Sequence, residues 1–271
     1  MTDLAYPFAD LELSRRLERT EGRANAAFVD ARARLHPDDG ATWMEVAGAY
    51  AMFDGVGSPL TQTFGLGLFE EVGDAEMERI EAFFAERGAE VHHEVSPIAD
   101  PALLGLLVAR GYHPFELSSV LFRPTAGGAG ARAEVAVRQT GPDEADLWAR
   151  TAAEGWRSVS PDIVDFMLQL GQISANAEGT ACFVAELDGR PVGAATLTLG
   201  DGVALLAGAS TLPEARRRGA QLALLQARLR FAEERGCPLA MMAALPGSAS
   251  QRNAERQGFR IAYTRTKWRR S

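Results

Sequence analysis

The sequence predicts an α/β fold built from two similar halves. Segments with the two-residue periodicity of strands alternate along the chain with segments whose apolar residues recur every three or four positions, as on one face of a helix. The clearest unit is an apolar strand, a tight turn and an amphipathic helix within residues 203–235. The same order of features also occurs twice, about half the chain apart.

The turn in this unit carries three consecutive arginines and a glycine, Arg216 to Gly219. Free N–H groups and the positive end of the dipole at a helix start attract anions. Glycine lets the backbone approach an anion closely, and arginines add charge-assisted contacts to phosphate. The stretch therefore predicts a pyrophosphate-binding turn. The alternative is a helix entry whose charges are only solvated.

The pattern is neither a P-loop nor the Gly-x-Gly-x-x-Gly dinucleotide motif. It resembles the acetyl-CoA signature of the GCN5-related N-acetyltransferases (GNAT family), Arg/Gln-x-x-Gly-x-Gly/Ala, with Gln221 in the last position. The resemblance implies acetyl-CoA as the acyl donor and a strand whose free backbone groups pair with the pantetheine arm. The implied cofactor-binding residues are Ala209, Ser210, Thr211, Leu212, Arg216, Arg217, Arg218, Gly219, Ala220 and Gln221.

The internal repeat covers nearly the whole chain. A glycine after a helical Phe-Ala-Glu stretch recurs at Gly88 and Gly236, 148 residues apart, and a glycine after a short helix recurs at Gly111 and Gly258, 147 apart. With the resemblance, this implies two tandem GNAT-like domains, each a mixed, mostly antiparallel sheet flanked by helices. The first copy has Glu-Glu at positions 70–71, where an anion would have to bind, so we expect it not to bind CoA.

The predicted organisation follows from this repeat. The predicted parts are a degenerate GNAT-like domain at 1–124, a Gly-rich linker at 125–133 and an acetyl-CoA-binding domain at 134–271. Helices are predicted at 11–19, 22–35, 75–87, 101–110, 143–156, 161–174, 222–235 and 248–256. Strands are predicted at 42–53, 60–69, 90–95, 115–123, 134–138, 180–187, 192–199, 203–209, 239–245 and 260–268.

Catalytic candidates follow from the resemblance. In the family an amine attacks the thioester directly, and much of the rate gain is positional. The thiolate's proton donor is often a Tyr four residues before the Gly-Phe that closes the short helix, but here that position holds Ala254. Ser250 and Asn253, three apart on one helical face, are polar groups that could approach the cofactor, as could Tyr263.

Each of these candidates has a plainer alternative. Ser250 and Asn253 could serve helix capping or surface polarity, and Tyr263 could be a packed core residue. Arg256 could reach a CoA phosphate or be an exposed charge. Glu154, in the helical region that usually lines the acceptor side, is the candidate base, and a surface carboxylate is its alternative.

Composition limits the other function classes. Apolar residues make up 46% of the chain, as in globular proteins, and no run reaches the ~18 residues of a membrane span. The first residues lack a signal-peptide pattern, and Cys182 and Cys237 form neither a disulfide framework nor a metal-ligand pattern. We therefore expect a cytoplasmic protein without metal, membrane or nucleic-acid partners; the net charge of −8 also disfavours nucleic acid.

Charge is distributed unevenly. Residues 1–125 contain 21 Asp or Glu and 10 Arg, whereas residues 126–271 contain 15 acidic and 18 basic residues. The basic excess suits a polyanionic cofactor, and the acidic half favours a cationic acceptor.

These observations favour an N-acetyltransferase acting on a primary amine of a small molecule or peptide. A non-catalytic acyl-CoA-binding sensor is the alternative, because the expected Tyr and an evident base are missing. A nucleotide-binding α/β protein is a third option. The acceptor stays open among amino acids, polyamines, antibiotics and peptides, and so does the oligomeric state, with a homodimer as one option.

Overall fold

The computed structural model describes residues 6–127, 135–158 and 163–270. The helices are α1 (Leu11–Leu35), α2 (Asp74–Ala85), α3 (Pro101–Ala109), α4 (Ala145–Glu154), α5 (Ile163–Ala175), α6 (Ala220–Glu234) and α7 (Ala249–Arg256). The strands are β1 (Thr42–Val46), β2 (Ala49–Phe53), β3 (Gln62–Phe64), β4 (His92–Val95), β5 (Tyr112–Pro124), β6 (Ala136–Gln139), β7 (Thr180–Leu187), β8 (Arg190–Gly200), β9 (Val203–Thr211), β10 (Leu239–Ala244) and β11 (Arg260–Arg270). None of the helices in these ranges combines the length and apolar character that crossing a bilayer requires.

The described residues form two compact units. The C unit comprises residues 124–240, and the N unit comprises residues 6–123 together with 241–270. The predicted domain boundaries do not coincide with these units, because the end of the chain packs with the N-terminal half. Residues 128–133 of the predicted linker lie outside the described residues.

Both units contain mixed or antiparallel sheet, which confirms the predicted fold class. In the C unit the strand order is β9-β8-β7-β6, all antiparallel, and α4, α5 and α6 contact these strands. In the N unit the order is β1-β2-β3-β4-β11-β5, in which only the pairing of β3 with β4 is parallel. β11 is therefore hydrogen-bonded on both sides to strands of the N-terminal half.

Sequence reasoning was wrong about the first helix. Two helices were predicted, but α1 is continuous through Gly22, which is buried. A Cβ at this glycine would lie 2.6 Å from Cδ2 of Tyr50, so the helix uses a glycine where an aromatic ring packs against its backbone. The contact is tertiary, and a local pattern does not reveal it.

The predicted strand at 42–53 is instead a hairpin of β1 and β2. Ala47 and Gly48 at its tip have φ of 50° and 73°, two consecutive left-handed residues as in a type I′ turn. The predicted strand at 60–69 is reduced to β3, and Gly65 and Gly67 turn the chain directly after it. The N-cap of α2 is Gly73 rather than Asp74.

A buried ionic cluster joins β11 to α1 and β4. Arg265, 1% exposed, lies 2.7 Å from Glu21, 3.3 Å from Glu18 and 3.0 Å from Glu94. The hydroxyl of Tyr263 donates to Glu18 at 2.8 Å, so this tyrosine is a packed, hydrogen-bonded residue of the N unit. One cation faces three carboxylates here, and burial raises the pKa of Glu18 to about 7.

We expect the stability of the wild type relative to Glu18→Gln to fall as the pH rises from about 4.5 to about 7. Between these pH values Glu18 is protonated in the folded protein but ionised in the unfolded chain, where its pKa is the ordinary 4.5. Unfolding therefore releases a proton, and a rising pH favours the unfolded state. The difference should be at most about 3 kcal/mol. Urea unfolding of both proteins at pH 5 and pH 8 measures it.

The comparison with Glu18→Gln removes effects common to both proteins. Burial lowers the pKa of His93 to about 3, which acts in the opposite direction below pH 6.5. The amide of the variant keeps an oxygen for the hydroxyl of Tyr263. An identical pH dependence in the two proteins would contradict a raised pKa of Glu18 in the folded protein.

Candidate functional site

The turn between β9 and α6, residues 212–219, is here called the arginine turn. It begins with a 3-10 turn over Pro213–Ala215, continues through Arg217 with φ 65° and ends at Gly219 with φ 94°. Ala215 and Ala220 are buried and fix its two ends, whereas the three arginine side chains are exposed. A left-handed non-glycine residue is strained, and such strain is found most often at functional sites.

The start of α6 is open to an anion. An α-helix leaves its first N–H groups without intrahelical partners, and the N-cap Gly219 has no side chain to bind them. The first turn of α6 holds no acidic residue, and the first helical hydrogen bond runs from Ala223 N to Gly219 O at 2.9 Å. The helix dipole and nearby arginines therefore make this end electropositive.

The three arginines have different surroundings. Arg216 donates to the carbonyl of Gly155 at 3.0 Å and to the hydroxyl of Ser158 at 2.7 Å, which ties the turn to the end of α4. Within the ranges that the structure describes, the side chains of Arg217 and Arg218 have no hydrogen bond or ion pair. Arg216 therefore braces the turn, and the other two are the guanidinium groups available to a phosphate.

The end of β9 is fastened to its neighbours by side chains. Ser210 donates to the carbonyl of Ala152 at 2.8 Å, and Gln221 donates its amide hydrogen to the hydroxyl of Thr211 at 2.8 Å. Gly155 is required at this place, since a Cβ would lie 2.6 Å from Cβ of Ser210. Gln221, which departs from the family motif, thus bridges the helix start to the strand end.

A bulge interrupts β9 just before these residues. The register pairs Ala194 with Ser210 but Thr196 with Ala207, so two residues of β9 lie opposite one of β8. Gly208 in the bulge has φ 57°, and the residues from Ala207 to Ala209 are exposed although β9 is buried on either side. The predicted pantetheine-binding stretch, Ala209 to Leu212, starts at this bulge.

The buried side chain of Arg228 stabilises the bulge by hydrogen bonds. The sequence did not predict this role. The side chain is 4% exposed and donates to the carbonyls of Thr196 at 2.9 Å and Ala207 at 3.3 Å, one on each strand beside the bulge. Burial lowers its pKa to about 10, so it remains a cation at neutral pH. The only sequence signal is a charged residue between the apolar Leu225 and Leu229 on the buried stripe of α6.

The other predicted site residues lie elsewhere. Ser250, Asn253 and Arg256 are exposed on α7, which belongs to the N unit, whereas the arginine turn belongs to the C unit. The structure does not bring them together within one unit, and Ser248, not Ser250, caps α7 by accepting from Gln251 N at 3.1 Å. Glu154 in the C unit forms an ion pair with Arg157. The catalytic roles of these residues stay predictions.

Comparison with known proteins identifies a related family. Residues 145–259 match the model of the acetyltransferase (GNAT) family, a span that contains the bulge, the arginine turn and α6. The chain is similar to the GNAT family over these residues. The matched span runs across the boundary between the two compact units.

Solved structures extend the similarity in fold to the rest of the chain. A GCN5-related N-acetyltransferase from Kribbella flavida matches with a TM-score of 0.63 at 20% identity, over 90% of this chain and 95% of that chain. A tandem GNAT protein from the clavulanic acid biosynthesis pathway matches with a TM-score of 0.61 at 13% identity, over 98% and 97%. No curated relative matches the sequence significantly.

We expect Arg228→Met to lower the free energy of unfolding by about 1–3 kcal/mol, because the carbonyl oxygens of Thr196 and Ala207 lose their donor. Arg230→Met, an exposed arginine on the same helix, is the matched control and should change it by less than about 0.5 kcal/mol. Denaturant unfolding measures both values, and hydrogen exchange at Ala207–Ala209 should accelerate only in the first variant. Equal stabilities would show that Arg228 does not support the bulge.

Proposed function

We propose that the protein is an acetyl-CoA-dependent N-acetyltransferase that transfers the acetyl group to a primary amine of a small molecule or peptide. The observation that carries this proposal is the arginine turn inside the span that matches the GNAT family. Its glycine N-cap, exposed arginines and non-acidic helix start fit a pyrophosphate.

The residues present fit two parts of the cofactor, the pyrophosphate and the pantetheine arm. The pyrophosphate is expected at the first N–H groups of α6, with Arg217 and Arg218 as its side-chain partners and Arg216 held back by Gly155. The pantetheine arm would pair with backbone groups between the bulge, where Ala207 to Ala209 are exposed, and Leu212, and the intervening Ser210 and Thr211 are buried. When bound, acetyl-CoA supplies the activated thioester.

The protein's part in the reaction is then mostly orientation. Arg228 keeps the bulge in place, so the backbone groups of β9 are positioned before the cofactor arrives. Glu154 is our proposed base for the incoming amine, and it forms an ion pair with Arg157. Ser250 and Asn253 stay predicted catalytic residues, as polar groups that could approach the cofactor.

The acceptor that we propose to test first is a cationic amine, such as a polyamine. Residues 1–125 carry a net charge of −11, which attracts cations and repels anionic acceptors.

A non-catalytic acyl-CoA sensor is a second candidate because of one position. Ala254 stands where the family often has the Tyr that donates a proton to the thiolate. It is 4% exposed and has no ionisable side chain. Tyr263, the alternative proton donor, donates its hydroxyl hydrogen to Glu18, and burial raises its pKa well above 10. Neither residue offers a proton to a thiolate.

We expect calorimetry to detect acetyl-CoA binding by the wild type and a loss of at least about tenfold in affinity for Gly219→Glu. The variant places a carboxylate where the phosphate should bind and forces a non-glycine residue to φ 94°. Gly236→Glu, at the opposite end of α6 with φ 70° and open space around it, is the matched control and should bind like the wild type. Absence of binding by the wild type would contradict the proposal.

An amine panel separates the enzyme from the sensor. We expect thiol release from acetyl-CoA with polyamines to exceed that with neutral amines, and the preference to shrink at high salt, because screening weakens charge attraction. Tight acetyl-CoA binding without turnover of any amine would favour the sensor instead.

A further inference from the structure

A cleft lined by charged and aromatic side chains lies within the N unit. It has a volume of about 400 Å³ and lies between α1, the tip of the β1–β2 hairpin and the loop that follows β3. Three arginines of α1, Arg15, Arg19 and Arg23, line it. Residues four apart share a face of a helix, so α1 presents a row of guanidinium groups to this space.

Two of these arginines are held in place by the loop after β3. Nε of Arg15 donates to the carbonyl of Leu68 at 2.6 Å, which leaves its terminal nitrogens for another acceptor. The guanidinium of Arg19 lies over the ring of Phe69, 4.6 Å from its centroid. Across the described ranges, neither Arg15 nor Arg19 forms an ion pair with a carboxylate.

The aromatic wall of the cleft depends on glycines. Phe69 is enclosed by Gly48 and Gly65, where an added Cβ would lie 2.5 Å and 2.8 Å from its side-chain atoms. Tyr50 packs on Gly22 in the middle of α1, although a glycine in a helix interior costs about 1 kcal/mol. Both rings therefore occupy positions that a larger neighbour would not allow, and the wall is preorganised.

The site differs from the arginine turn of the C unit. The N-terminus of α2, which follows the same loop, is closed by its own residue Glu76, whose carboxylate accepts from Gly73 N at 3.0 Å. Its first turn also holds Asp74, so this helix end repels anions. The positive charge of the cleft comes from α1 instead.

The charges of the lining residues limit the size of the ligand. Glu45 and Glu70 are exposed and also line the cleft, so its formal charge is one positive unit rather than three. A large polyanion such as CoA would meet these carboxylates, whereas a single oxyanion can reach the arginines. We propose that this cleft binds a small metabolite through one carboxylate or phosphate group, which Arg15 and Arg19 hold.

The test uses the full chain at low ionic strength, with inorganic phosphate and succinate as separate probes in calorimetric or NMR titration. The two probes distinguish a phosphate from a carboxylate ligand. We expect at least one to bind saturably, and its affinity to fall at least tenfold in the double variant Arg15→Met/Arg19→Met. Arg34→Met, an exposed arginine of the same helix, should leave the affinity unchanged.

Two further variants keep the result interpretable. Because phosphate can also bind at the arginine turn, the arginine variants are compared in the Gly219→Glu background as well, where the remaining probe binding should still depend on Arg15 and Arg19. The two proposals therefore fail independently. If the double variant does not fold by circular dichroism, Arg19→Gln alone replaces it, with an expected loss of at least threefold. Unchanged affinity in the folded arginine variants, or no saturable binding of either probe by the wild type, would overturn the proposal.

Discussion

The buried guanidinium of Arg265 is the contact on which the N unit depends. It belongs to the last strand, and its partners Glu18 and Glu21 belong to the first helix, 247 and 244 positions away. Removing Arg265 would leave three carboxylates, Glu18, Glu21 and Glu94, without their cation, a loss that typically costs several kcal/mol. The buried ionic cluster therefore makes β11 a structural part of the N-terminal half of the chain.

The two halves use the same place in their folds in opposite ways. The loop before α6 ends in a glycine without a cap, and three arginines surround the open helix start. The loop before α2 ends in a glycine whose N–H is bound by Glu76. Glu76 in the first turn of α2 thus satisfies an N–H at that helix start, whereas the first turn of α6 holds no acidic residue and its start is open to an anion.

Local signals predicted the elements that depend on local chemistry. The strands β7 and β8 and the helix α6 follow from periodicity, and the exposed arginines before α6 follow from the charged turn. The errors have tertiary causes: Tyr50 makes a glycine acceptable inside α1, and β11 pairs with strands far away in sequence. For the candidate site, the partners of Arg216 and the role of Arg228 depend on α4 and on the β9 bulge, which no sequence spacing reveals.

The position of β11 has a consequence for how the protein is made. β4 and β5 leave the ribosome long before residues 260–270, which pair with both of them. Until then each strand has an edge with unpaired backbone groups, the kind of surface that recruits other strands. The N-terminal half cannot complete its sheet during synthesis, in contrast to domains that fold as they emerge. Nascent chains truncated near the C-terminus should therefore be clients of chaperones.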